Sequence, residues 1–384
     1  MQYRKYGKTG LSTSLFGMGC MRLPRTELKD GTVVVDKDKA FQLIRHAADN
    51  GVNYFDTAYV YHSQTSEDIL GEALEGGRRE KVHIATKLPF SMMEKQSDIR
   101  RHLENTLRKL RTGYIDVYLI HNISAGQWDA IKERRIIEEY EKFKAEGLIG
   151  HIAFSYHGKY PGFKAVLDYY DWDMCQVQQN LIDIDKEVTQ QAILDGGAKG
   201  CAVVVMEPLR GGGLASAPAK VRQIYDASGF GRTPAQWAFR HVANYGEVSA
   251  ILSGVTTIEQ LKQNIETFSA PDMLPGCLGL EEKDVIAKAK AAYESMQAVP
   301  CTGCEYCLPC PQNVAIPTVF SRYNEGRMFE SFDQPRRSYM FLTKGGRDAS
   351  NCVECGACMG KCPQGIDIIG SLKTSHEALF GWRE

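Results

Sequence analysis

At 384 residues, with 43% hydrophobic and 24% charged residues, the chain can bury an ordinary core and is long enough for about two domains. Its formal net charge of −1 argues against nucleic acid or an anionic membrane surface as the main partner. Met1–Gly10 leads into no apolar signal region, and the longest apolar stretches, such as Cys201–Met206, are far too short to span a bilayer, so a soluble, cytoplasmic protein is expected.

In chain order, short β-rich runs alternate with amphipathic stretches. Strands are predicted at Leu15–Gly19, Asn53–Thr57, Val82–Leu88, Tyr114–His121, His151–Ser155, Met174–Gln178, Ala202–Met206 and Ala250–Gly254. Helices are predicted between them at Asp38–Asn50, Asp98–Leu110, Ile131–Glu146 and Thr233–Ala243. Apolar strands alternating with helices imply a parallel sheet, and eight repeats imply an α/β protein of the closed (β/α)8 TIM-barrel class. A Pro271–Pro275 loop and a charged helix over Glu281–Met296 then lead into a cysteine-rich region. The expected division is a barrel over residues 1–275 and a linker helix with the cysteine-rich domain over 276–384.

Functional residues of such barrels sit at the carboxyl ends of the strands. Four ionisable side chains stand there: Asp56 and Tyr61 in Asn53-Tyr-Phe-Asp-Thr-Ala-Tyr-Val-Tyr, Lys87 in Ile84-Ala-Thr-Lys, and His121 in Asp116-Val-Tyr-Leu-Ile-His. With Tyr3-Arg-Lys-Tyr-Gly-Lys-Thr-Gly, Leu70-Gly-Glu-Ala-Leu, Thr233-Pro-Ala-Gln-Trp-Ala and Gly254-Val-Thr-Thr-Ile-Glu-Gln-Leu-Lys-Gln-Asn, these segments resemble the aldo-keto reductase family over roughly 260 residues. The resemblance implies a catalytic Asp–Tyr–Lys–His set. A carbonyl that accepts hydride builds negative charge on oxygen and needs a proton donor. A free tyrosine has a pKa of ~10. A neighbouring ammonium lowers it, and a carboxylate keeps that ammonium charged. Tyr61 is therefore assigned as general acid, Lys87 as its modulator, Asp56 as the lysine's partner and His121 as the donor that orients the carbonyl. Tyr59 is the rival phenol, but the family's Asp-x4-Tyr spacing selects Tyr61.

The resemblance also implies an NADP(H) or NAD(H) site. Ser155 and Gln176 match residues that hold the nicotinamide carboxamide, and Gly19 and Arg22 lie on the first βα loop. Pro208, Leu209, Gly211 and Gly212 follow strand seven, and Gly254, Val255 and Thr256 follow strand eight, where such barrels cradle phosphate. Asn264 matches an adenine-side asparagine. Two positions depart from the family. Met206 stands where an aromatic stacks on nicotinamide, with Glu207 in place of serine. Gly254 and Gln260 stand where basic residues clasp the 2′-phosphate, which leaves the choice between the two nucleotides open.

Eight of the 12 cysteines fall in the last 84 residues, as Cys301, Cys304, Cys307, Cys310 and Cys352, Cys355, Cys358, Cys362, each run closing on proline. Four-cysteine zinc sites use two C-x2-C pairs separated by a longer loop, and unbroken runs of x2 and x3 spacing suit disulfides poorly. The pattern is that of a bacterial-type ferredoxin with two 4Fe–4S clusters, in which the fourth cysteine of each run reaches the other cluster. Cys301, Cys304, Cys307 and Cys362 are expected to hold one cluster, and Cys352, Cys355, Cys358 and Cys310 the other. Helical stretches at Thr318–Asn324 and Arg336–Thr343 make this domain a small, mainly helical one. Cys20, Cys175, Cys201 and Cys277 are scattered singly and read as small hydrophobes.

A hydride carries two electrons whereas each cluster moves one, and a flavin usually joins the two currencies. The sequence has no flavin signature, although a flavin held by barrel loops would leave none. Three readings follow. The barrel reduces a small-molecule aldehyde or ketone with NAD(P)H, and the clusters cap, support or sense. Alternatively, the clusters carry electrons from a ferredoxin or other redox protein to a substrate or flavin in the barrel. The third is a nucleotide-binding redox sensor with little turnover.

Overall fold

A computed structural model of the chain describes residues 1–183 and 190–380. Eight parallel strands close into a barrel: Phe16–Gly19, Tyr54–Asp56, His83–Leu88, Ile115–Ile123, Ile149–Tyr156, Met174–Gln178, Ala202–Met206 and Val248–Ser253. Each strand pairs with the next and the eighth with the first, so no edge is left open. The strands are apolar on both faces because both faces are covered. Tyr54, Ala85, Val117, Leu119, Ala153, Met174, Ala202, Val204 and Ala250 fill the interior. Their neighbours Phe55, Ile84, Tyr118, Ile120, Ile152, Phe154, Val203, Val205 and Ile251 belong to the larger core beneath the helices. Tyr6, carried by an amino-terminal hairpin (Tyr3–Lys5 with Ser12–Ser14), joins the interior and meets the Tyr54 hydroxyl at 2.9 Å.

The outer helices follow from capping and from a buried stripe at helical spacing. Lys37–Asp49 starts at Asp36, whose carboxylate accepts the Lys39 N–H, and it buries Ala40, Leu43, Ile44 and Ala47. Ser66–Ala73 contains Gly71, where a Cβ would fall 2.6 Å from the Leu110 carbonyl carbon that ends the next helix, Asp98–Leu110. The Lys109 and Leu110 carbonyl oxygens lie as close, at 2.6 and 2.7 Å, and all three atoms are backbone that cannot move aside. Gly71→Ala is expected to cost about 1–3 kcal/mol by overpacking. An unchanged midpoint in chemical denaturation would refute this.

Two elements differ from expectation. The helix predicted over Ile131–Glu146 is two helices, Trp128–Glu133 and Ile136–Ala145. Arg135 between them has φ +52°, and the Arg134 guanidinium donates to the Met93 carbonyl at 2.7 Å. A small exposed hairpin, Arg25–Glu27 with Val33–Val35, interrupts the first βα loop. Among the described residues no helix is long and apolar enough to cross a membrane.

The chain forms two compact units, Met1–Gly211 with Ala235–Leu280, and Gly212–Pro234 with the chain from Glu281 onward. The second unit is helical: Ala219–Ala227, Leu280–Ser295, Ile316–Met328, Asp333–Lys344 and Ile368–Phe380. Val299, Val319, Phe320, Tyr339, Ile368 and Leu372 form its core, and six cysteines pack against that core. Tyr339 ties this unit together: its hydroxyl oxygen accepts the Ala349 N–H at 3.0 Å and lies 2.8 Å from His376 Nδ1.

Candidate active site and cluster loops

Asp56 ends the second strand and Lys87 lies one residue before the end of the third. The Lys87 ammonium donates to Asp56 Oδ1 at 2.6 Å and to the Thr57 carbonyl at 2.7 Å, with both side chains nearly inaccessible. Tyr61 reaches the same point from the turn after the second strand. Its ring centre is 5.1 Å from Lys87 Nζ and 5.9 Å, edge to face, from the His121 ring. The turn is made by His62, Ser63 and Gln64, all at positive φ. Three hydrogen bonds hold it. The Gln64 carbonyl accepts from Lys109 at 2.6 Å, Thr57 and Ser66 share hydroxyls at 2.8 Å, and His62 Nε2 lies 3.0 Å from the Cys20 carbonyl. Backbone in a costly region held by surrounding bonds is characteristic of functional sites.

The structure separates Tyr59 from this cluster. Its hydroxyl accepts from Asn105 at 3.0 Å and Lys109 Nζ lies 4.4 Å from its ring centre, both from the helix layer.

Burial opposes the charge on Lys87, but Asp56 and Tyr61 outweigh it and raise the lysine's pKa. Asp56 is raised by burial and pulled back by the ammonium. For Tyr61 burial is the largest effect, Lys87 only partly offsets it, and the phenol titrates above its ordinary value. This corrects the expected depression: Lys87 restrains the rise without reversing it. A protonated phenol beside a permanent ammonium is a proton donor. Burial, then Lys87, then His157, push the His121 imidazole down to about 3, so it is neutral.

A depressed histidine has a pH signature. Between its ordinary value of 6.5 and about 3 the unfolded chain binds a proton that the folded chain does not, so stability is lost as pH falls through that window. The stability difference between the parent chain and His121→Gln should therefore move against the parent by up to about 1.4 kcal/mol per pH unit below pH ~6.5. A difference that is flat from pH 7 to pH 5 in urea titrations would contradict it.

The proposed dinucleotide residues gather in part. Ser155 and Gln176 are register partners on the fifth and sixth strands, both buried. Ser155 Oγ accepts the Asn122 N–H at 2.8 Å, and Gln176 Nε2 lies 3.7 Å from Met206 Sδ. Gln176 Oε1 is buried without a protein partner, which suits a ligand donor such as a carboxamide. Gly19 and Gly254 are adjacent, since a Cβ on Gly19 would lie 3.7 Å from the Gly254 nitrogen. Pro208 is buried, Leu209 is half-buried, and Gly211 and Gly212 take φ +67° and +101°. Val255 is buried beside exposed Thr256. Gln260 turns its carbonyl oxygen to the Thr256 N–H at 2.9 Å, and Asn264 donates to Ser253 Oγ at 3.1 Å.

Sequence reasoning missed His157, which follows the fifth strand, is half-buried, acts electrostatically on His121 and is itself pushed down by burial and Lys87. A lone histidine with no spacing pattern carries no signal. It also missed the ion pairs of Glu207 with Arg22 and of Arg210 with Asp183.

In the second unit, Cys301, Cys304, Cys307 and Cys362 line one cavity of about 330 Å³, part of it open to solvent, with Ile316, Phe320, Ile366 and Ile368. Cys310, Cys352, Cys355 and Cys358 line another of about 370 Å³, with Ile316, Ile369 and Leu372, and Cys307 borders both. The two loops repeat one backbone design. Gly303 and Glu305 flank Cys304, Glu354 and Gly356 flank Cys355, and all four have φ between +57° and +72°. Leu308 N–H donates to Glu305 as Met359 N–H donates to Gly356, and turns follow Cys310 and Cys362 alike. Among the described residues no three His, Cys, Asp or Glu side chains converge tightly enough for a single metal ion. The cysteines surround cavities instead, and thiolate sets with apolar walls fit iron–sulfur clusters.

Residues 16–273 match the profile of the aldo/keto reductase family, two thirds of the chain. The chain belongs to the aldo/keto reductase family. Residues 300–366 match a 4Fe–4S dicluster domain, so this oxidoreductase carries an iron–sulfur domain after its barrel. It is 28% identical over 237 residues to "Uncharacterized oxidoreductase YrpG" of Bacillus subtilis (strain 168), covering 55% of this chain and 68% of that one. It is 32% identical over 164 residues to "Uncharacterized oxidoreductase YqkF" of the same organism, covering 40% and 49%. Among solved structures it resembles aldo-keto reductase AKR11C1 from Bacillus halodurans, holo form, with TM-score 0.62 and 25% identity over 75% of this chain and 96% of that one. The apo form of that reductase gives TM-score 0.58 at the same identity and coverage.

Proposed function

We propose that this aldo/keto reductase reduces a small-molecule aldehyde or ketone with NAD(P)H, with Tyr61 as general acid. The observation that carries the reading is Lys87, buried between the Asp56 carboxylate and the Tyr61 phenol. Reduced nicotinamide, when bound, supplies a hydride to the carbonyl carbon. The chain supplies the rest. Tyr61 gives its proton to the carbonyl oxygen as charge develops there, and the Lys87 ammonium stabilises the phenolate left behind. Asp56 keeps that ammonium charged and aimed. His121, neutral through the physiological range, donates an N–H to the carbonyl and positions it. Ser155 and Gln176 would hold the carboxamide, with the open Gln176 Oε1 accepting its N–H. Residues 1–275 would carry this chemistry and 276–384 the clusters.

The second reading, electron delivery from a ferredoxin or other redox protein, is favoured by one observation: Cys304 and Cys355, one in each loop, are exposed. A reconstituted, anaerobic sample mixed with NADH or NADPH and a panel of carbonyls separates the two. Carbonyl reduction with unchanged cluster absorbance supports the hydride reading. Turnover that appears only when reduced clusters are reoxidised would sink it.

A further inference from the structure

The turn after the seventh strand is bent at both ends into backbone that L side chains disfavour, with Glu207 at φ +58° and Arg210 at φ +46°. The Arg210 N–H closes it on the Glu207 carbonyl at 2.9 Å. Each charged side chain is tied to a different neighbouring loop, and the two ties differ in quality. Arg210 Nε donates to Asp183 Oδ2 at 2.9 Å, with both side chains mostly buried. Glu207 Oε1 lies 4.0 Å from Arg22 Nη2, too long for a hydrogen bond, and about a third of each side chain is open to solvent. Such a pair is screened and easily displaced.

Arg22 runs along the glycine that opens the loop after the eighth strand: a Cβ on Gly254 would lie 2.9 Å from Arg22 Cβ. Among the residues assigned above to dinucleotide contact, Arg22 alone is positively charged. A phosphate oxygen can pair with a guanidinium at hydrogen-bond distance, which Glu207 does not reach. The carboxylate also repels phosphate from the same position.

We propose that Glu207 competes with the phosphates of a bound dinucleotide for the Arg22 guanidinium, so that this loose pair sets the reductase's affinity for its coenzyme. The inference rests on the dinucleotide-binding reading above. Arg210–Asp183 is the fixed anchor of the turn, and Arg22–Glu207 is the tie that yields.

The test is NADH and NADPH binding, read by fluorescence quenching on the full, anaerobically reconstituted chain at low and high salt. Glu207→Gln should bind about 3–10-fold tighter at low salt, and Arg22→Gln roughly 10-fold weaker. In the Arg22→Gln background, Glu207→Gln should gain far less, because the guanidinium it released is gone. High salt should shrink the Glu207→Gln gain. Measurable parent binding with an unchanged or weaker Glu207→Gln overturns the competition alone. A parent chain that binds neither nucleotide overturns it together with the coenzyme reading.

Discussion

Replacing Tyr61 with phenylalanine should slow carbonyl reduction by about one hundred- to ten-thousand-fold while nucleotide affinity changes by less than about two-fold. Phenylalanine keeps the ring that packs beside His121 and Lys87 and removes only the proton donor. The loss belongs in the chemical step, so single-turnover measurement at saturating nucleotide is the appropriate readout. The pH profile of the parent should show no imidazole limb near neutrality, because His121 stays neutral down to about 3. Activity should instead fall on the alkaline side as the phenol, itself raised by burial, loses its proton. Unchanged single turnover in Tyr61→Phe would remove this residue from the mechanism.

The second large effect concerns the cysteines. Serine at any cluster position should remove about half of the iron and acid-labile sulfide, but the informative result comes from pairs. Cys301 and Cys362 line one cavity from opposite runs, whereas Cys310 lines the other. Cys301→Ser with Cys362→Ser should therefore cost no more iron than either change alone. Cys301→Ser with Cys310→Ser should cost nearly all of it. Equal losses in the two double variants would contradict the crossed assignment. Iron content that is unaffected by all of them would contradict a cluster role for these thiols.

The sequence revealed most of the barrel because its strands carry a strong physical signal. Ala202–Met206 is apolar on both faces, Met174–Gln178 is apolar apart from Gln176 and Gln178, and the observed strands coincide with the prediction. Lys87 and the three residues gathered around it were visible for a related reason: they lie near the carboxyl ends of strands or, for Tyr61, on the turn that follows one, where a barrel's geometry makes side chains converge. The broken helix near Arg134 was not visible. No glycine or proline marks it: Arg135 takes a left-handed conformation there, and the neighbouring Arg134 bonds to Met93, 41 residues away in sequence. The helix Ile368–Phe380 was missed beside the dominant cysteine pattern. The sign of the Tyr61 shift was misjudged because sequence identifies a neighbouring ammonium but not the depth of burial, and burial prevails. Glu207 and Arg210 at positive φ escaped because neither is a glycine and the close ion pair that ties Arg210, to Asp183, comes from another loop.

The central claim is that hydride, rather than electrons relayed one at a time, reaches the carbonyl beside Tyr61. Single turnover of the reconstituted chain with NADH or NADPH deuterated at the transferring position of the nicotinamide tests it most directly. The account predicts one deuterium retained at the carbinol carbon and a solvent proton on its oxygen. An alcohol whose carbinol hydrogen comes from solvent, formed as the clusters reoxidise, would contradict it.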